Sequence, residues 1–178
     1  MKAWHFTALD KRLGYNDGRL VEPGKTLVHP GELELCKSGL HASARLINAL
    51  QYAPGPYIWR VEVGGTILRG SDKLVASERT PLWGFDATDI LRRFARKCAL
   101  DVIHLWDAPD VVIRYLKTGD ESIRADAYAA ARDAARAAAA DAAWDAARAA
   151  AYAAAWVAAR DRQNRRLTAM VSRGRNNV

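Results

Sequence analysis

The spacing of apolar and polar positions changes character once along this chain, near residue 86. Before that point, short β-prone runs cover 2–8, 25–29, 32–36, 57–68 and 80–85. Between them stand Asn16-Asp17-Gly18, Glu22-Pro23-Gly24, Pro30-Gly31, Pro54-Gly55-Pro56 and Gly64-Gly65. Strand-length runs bounded by turn formers predict a sheet. One helix is predicted among them, over 43–52, where Leu46, Ile47, Ala49 and Leu50 share a face and Ser43 is placed as the N-cap.

Beyond 86 the period becomes that of a helix. Asp86 and Asp89 form an acidic start, followed by Ile90, Leu91, Phe94, Cys98, Val102 and Leu105 on one side. His104, beside Trp106, is read as a core or boundary residue of that side. Asp107-Ala108-Pro109 opens a second helix that Lys117-Thr118-Gly119 closes, and Asp120 caps a third. The predicted class is α+β: a small strand-rich head over 1–86, bridging helices over 87–119, an Ala-rich helical module over 120–172 and a basic tail over 173–178.

From Arg124 to Arg160, 23 of 37 residues are Ala, and neither Gly nor Pro interrupts them. Ala loses no side-chain entropy in a helix, so the segment is predicted helical throughout. Its large side chains recur every fourth residue, among them Tyr128, Trp144, Tyr152 and Trp156. A period of four drifts by about 40° per step against the 3.6 repeat, so these residues spiral and make no single stripe. Backbones covered by Ala can approach closely, which predicts packing against other helices, in a homo-oligomer or within the chain. Charges at nearly every turn exclude a membrane span.

Composition narrows the picture further. Half of the residues are hydrophobic (50%), but many are Ala, so the larger part of the core must lie in the first ~118 residues. Cys36 and Cys98 make no disulfide framework, and the start of the chain lacks the apolar run of a signal peptide, so a cytoplasmic location is expected. The net charge of +7 is concentrated at the end, in Arg160, Arg162, Arg165, Arg166, Arg173 and Arg175 against Asp161. Arginines at a helix C-terminus complement its dipole, and they also suit weak, nonspecific contact with nucleic acid.

The chain carries no Walker loop, dinucleotide-binding glycine fingerprint, paired-carboxylate motif or HExxH. Cys36, His41 and His29 lack the spacing and the fourth ligand of a zinc site, so no metal is expected. Cys36 beside His41 is read as a small hydrophobe at a strand end, not as a nucleophile. The segment Gly31-Glu32-Leu33-Glu34-Leu35-Cys36-Lys37-Ser38-Gly39-Leu40-His41-Ala42-Ser43 is followed by Ala49-Leu50-Gln51-Tyr52-Ala53-Pro54-Gly55, Arg60-Val61-Glu62-Val63-Gly64-Gly65 and Asp72-Lys73-Leu74-Val75-Ala76-Ser77. This pattern resembles a family of uncharacterised phage and prophage domains with a Cys, a Gly-Leu/Phe-His-Ala turn and Ala-rich helical extensions. The resemblance implies host-cell cytoplasm as the setting, and no activity.

A second resemblance is to ADP-ribosyltransferase folds, through the order His5, the His41-Ala42-Ser43 turn and Glu78. It implies NAD as cofactor, with His5 on the nicotinamide ribose, Ser43 supporting the adjoining strand and Glu78 stabilising the oxocarbenium charge. The acidic partner expected two positions before Glu78 is Ala76, and the second motif has no Tyr. The leading expectation is therefore a non-enzymatic binding or assembly protein without cofactor. Its head would hold a host protein or a nucleotide-like ligand near His5, His41, Ser43 and Tyr52, and its Ala-rich helix would mediate packing or self-association.

Overall fold

The computed structural model describes residues 1–15, 17–141 and 149–176, and among these the side chains of all but 135–141 and 149–156. The chain divides into two compact units, Met1–Ile90 with Asn164–Val178, and Leu91–Gln163. An N-terminal antiparallel sheet of five strands followed by helices makes the fold α+β.

In the first unit, β1 (Lys2–Thr7) pairs with β4 (Tyr57–Arg69), β4 with β5 (Leu74–Asp86), and β5 along its other edge with both β3 (Leu40–Ala42) and β2 (Leu27–Val28). The register between β4 and β5 shifts at Arg60/Val61 and again at Gly64/Ile67. Such bulges strengthen twist and curl a sheet. The curl brings β3 to the free edge of β1, where Trp4 and Ser43 exchange main-chain hydrogen bonds of 2.8 and 3.0 Å. Main-chain pairing therefore runs in a ring, β1–β4–β5–β3–β1.

Alternation along the strands separates two faces. Ala3, Trp59, Val61, Val63, Leu74 and Ala76 pack with Ala42 and with Val21 from the 8–39 segment into one buried cluster. Trp59 Nε1 donates to Thr7 Oγ1 at 3.0 Å within it. Gly84 is required there, because a Cβ would lie 2.4 Å from the Trp59 ring and 2.6 Å from the Ile58 carbonyl oxygen. The opposite face presents Trp4, Trp83 and Phe85, with Trp4 edge-on to Trp83 at 5.8 Å.

The end of the last helix, α5 (Ala149–Arg175), belongs to this unit. Leu167 and Val171 are fully buried and Met170 nearly so, an i, i+3, i+4 apolar face at the end of an Ala-rich stretch. Gly174 lies against Ile90 and Phe85, and the Arg175 guanidinium sits 4.7 Å over the Trp83 ring. The unit thus differs from the sequence boundaries of 86 and 172. Arg173 and Arg175, expected in a basic tail, close α5.

The short helix α1 (Leu46–Gln51) starts later than expected. Ser43 is held in the pairing with Trp4, and Arg45 stands at the N-cap position without a side-chain cap hydrogen bond. The run 25–29 contracts to β2, and 32–36 to a single bridge between Glu34 and Ser38. Residues 40–42, read as a turn, form β3.

In the second unit, α3 (Asp110–Thr118) ends at Gly119 with φ 71°, as the Lys-Thr-Gly stop predicts. Asp120 accepts from the Ser122 amide at a 3-10 turn that precedes α4 (Arg124–Asp141), which packs on α3 and buries Ala127. Helix α2 (Thr88–Asp101) starts beside Asp86, whose carboxylate accepts from the Thr88 amide at 2.9 Å. It ends before His104, which is exposed in the 3-10 turn Ile103–Leu105 and is not a core residue. Trp144 lies outside the described residues, as do the side chains of Tyr152 and Trp156. No helix among the described residues is long and apolar enough to cross a membrane.

Truncating a buried Leu removes its transfer free energy and leaves a cavity. Leu167→Ala is therefore expected to lower the stability of the full chain to urea unfolding by about 2–5 kcal/mol, whereas exposed Arg165→Ala should change it by less than about 0.5 kcal/mol. Equal effects of the two substitutions would remove α5 from the head's core.

Candidate functional site

The segment before β3 turns sharply. Cys36 has a left-handed φ of 70°, and Gly39 a φ of 114° that an L side chain rarely adopts. A Cβ on Gly39 would also fall 2.4 Å from Val75. This geometry folds the turn back so that the Cys36 amide donates to His41 Nε2 at 3.0 Å, while His41 Nδ1 lies 3.1 Å from the Gly39 carbonyl oxygen. Because Nε2 accepts, the ring is neutral with its proton on Nδ1. Ser38 Oγ donates to the Glu32 carbonyl at 2.8 Å and meets His29 Nε2 at 3.0 Å, which ties the start of the turn to the residues after β2.

His41 links an inner and an outer group of polar side chains. Inward, its carbonyl accepts from Arg79 Nη1 at 2.6 Å and from the His5 ring. Arg79 is 1% exposed, and burial pushes its pKa down to about 9, an effect that Asp17 opposes. It remains charged at neutral pH. Among the described residues, Arg79 Nε and His5 Nε2 are buried without a hydrogen-bond partner. Burial first, and then the charge of Arg79, hold the His5 pKa well below its usual value, so His5 is a neutral imidazole. Asp17 itself is engaged by Arg19, whose Nε and Nη2 reach its two oxygens at 2.6 and 2.8 Å.

Outward, Lys73 hydrogen-bonds to the Cys36 thiol and the Tyr52 hydroxyl, and these two contacts raise its pKa. Its ammonium also lies 4.3 Å over the Tyr52 ring, and Tyr52 donates to Asp72. Beside them is a recess of about 130 Å³ lined by Arg45 and Asn48 at α1 and by Arg69, Ser71, Asp72 and Lys73 at the β4–β5 turn. A larger hollow, of about 540 Å³, is lined by one flank of α3 alone, so groups from separate elements do not converge on it. Among the described residues no three His, Cys, Asp or Glu side chains are grouped to hold a metal ion.

Of the residues singled out from sequence, His5, His41 and Tyr52 gather at this end of the ring. Ser43 is buried there through its main-chain pairing. Glu78 is not brought to them. It is exposed, beside Gly64 on β4 and opposite Val28 on β2. Tyr128 is exposed on α4. Arg162, Arg165, Arg173 and Arg175 are exposed along α5, while Arg160 and Arg166 are half-buried. Sequence reasoning missed Arg79 and the basic lining of the recess. Lys73 stood within the quoted Asp-Lys-Leu-Val motif, but Arg79 carried no signal, because a lone Arg in a strand is usually outward-facing.

Residues 1–93, just over half of the chain, match the family described as a domain of unknown function (DUF7666), and the chain belongs to that family. No curated protein and no solved structure matches the chain. The match ends before the segment of α5 that completes the first unit.

The inner group makes two predictions. His5 binds a proton less readily folded than unfolded, so its stabilising contribution is full above about pH 6.5 and is lost as pH falls toward its depressed folded value. Urea midpoints should drop between about pH 7.5 and pH 5, and His5→Phe should flatten that slope; an unchanged slope would deny the role of His5. Arg79→Met removes a buried charge while keeping volume, and should leave stability equal or raise it by about 1–4 kcal/mol. A loss exceeding about 2 kcal/mol would show that the bond to His41 outweighs desolvation.

Proposed function

We propose that the protein is a non-enzymatic binding and assembly protein of phage or prophage type, whose head holds the phosphate of a nucleotide-like ligand. The observation that carries this reading is the recess at the β4–β5 turn, whose lining brings together Arg45, Arg69 and Lys73 with Asp72, which is bonded to Tyr52. Three cations from two separate segments suit an oxyanion, and Arg presents paired donors to one. At about 130 Å³ the recess is smaller than the ~300–1,000 Å³ of pockets that enclose a whole small molecule. It suits one phosphate group, with the rest of the ligand lying outside, where the half-exposed Tyr52 ring offers a stacking surface.

The transferase alternative gains no support from the placement of Glu78, which is exposed beside Gly64. The helical module is assigned packing or self-association. Supporting this, Leu105, Tyr128 and Val157 stand exposed in the second unit.

Titration with ADP, inorganic phosphate and adenosine, followed by tryptophan fluorescence, tests the head. ADP and phosphate should bind, adenosine should not, and affinity should fall with added salt. Lys73→Met should weaken ADP about tenfold, or ~1.4 kcal/mol. Adenosine binding as well as ADP, or no binding of ADP at millimolar concentration, would refute the reading. For the helical module, light scattering at micromolar protein should give a mass above the 19.6 kDa of one chain; a monomer mass would leave only packing within the chain.

A further inference from the structure

The end of α5 is tied to the recess through one hydrogen bond that joins residues 117 positions apart. Asn164 Oδ1 accepts the main-chain N–H of Ile47 at 3.0 Å. The first N–H groups of any helix lack an intrahelical partner, and a side chain at the N-cap usually supplies one. Arg45 supplies none to α1. Asn164 therefore does at long range what a local cap does elsewhere.

The residues that flank this bond line the recess. Arg45 lies two positions before Ile47, and Asn48 directly follows it. A helix of six residues has little stability of its own, so α1 takes its position from what it packs on. Leu46 and Ile47 are buried, as are Leu167 and Val171 on the segment that carries Asn164, and Arg175 over Trp83 anchors that segment further along.

We propose that Asn164–Arg175 is a positioning element that regulates the recess: its docking on the head sets α1, and through α1 the placement of Arg45 and Asn48 for the bound oxyanion. This rests on the reading of the recess as a phosphate site. Linkage is reciprocal, so if docking tightens ligand binding, the ligand must tighten docking by the same factor.

The experiment uses the full chain, with ADP as the probe. Kd is measured by NMR titration for the wild type, Asn164→Ala and Asn164→Asp, the last retaining an acceptor oxygen. Amide hydrogen exchange at Ile47, Leu167 and Val171 is followed with and without ADP. Asn164→Ala should weaken ADP about fivefold and Asn164→Asp should recover most of that loss, the size expected for a cap. In the wild type, ADP should slow exchange at Leu167 and Val171, a response that a merely structural segment would not show. ADP binding that leaves this exchange unchanged would overturn the proposal while the recess reading stands, and this arm needs no variant to fold. Wild-type affinity in Asn164→Ala would do the same. Failure of ADP to bind the wild type would overturn the recess reading and the proposal together.

Discussion

Two main-chain hydrogen bonds between Trp4 and Ser43 determine the layout of the head. They join the first strand to the residue after the shortest inner strand and close the curled sheet into a ring. Without them β3 would be a three-residue strand held only by β5, and the turn before it would have no fixed relation to β1. With them, His5 from β1, His41 from β3 and Arg79 from β5 meet at one carbonyl. The Cys36, Lys73 and Tyr52 group is built on the outer side of the same turn, so both polar groups depend on the closure.

The interior that results is not the most stable one available. An aliphatic residue in place of Arg79 would avoid desolvating a guanidinium, and a buried cation whose nearest carboxylate is bound to another Arg is a net cost in most settings. The remaining core offsets it: Trp59 with Val61 and Val63 on β4, Ala3 on β1 and Val21 from the covering segment, all nearly or fully buried. Two tight approaches preserve this packing, Gly84 under the Trp59 ring and Gly39 against Val75.

The other face of the sheet is completed by residues far away in sequence. Ala contributes little burial area, so the long helix cannot secure itself by hydrophobic burial along most of its length. Its stability in the head comes from the last dozen residues, where Leu167, Met170 and Val171 interrupt the polar and Ala pattern. The family match over 1–93 covers the sheet but not the whole of the unit that buries it.

Elements whose signals are local could be read from the residue pattern alone. The runs 2–8 and 57–68 became β1 and β4, the Lys-Thr-Gly stop ended α3, and Asp86 and Asp120 took up helix-start amides, because alternation, φ preference and capping act within a few residues. His41 was singled out through a turn crowded with polar side chains. The rest depended on contacts far apart in the chain. Ser43 looked like a helix cap and instead closes the ring; Arg79 inside that ring and Asn164, which caps α1 from α5, carried no sequence signal. Each of these roles is set by a partner dozens of residues away, and periodicity carries no information about which distant backbone group will be left needing a donor or an acceptor.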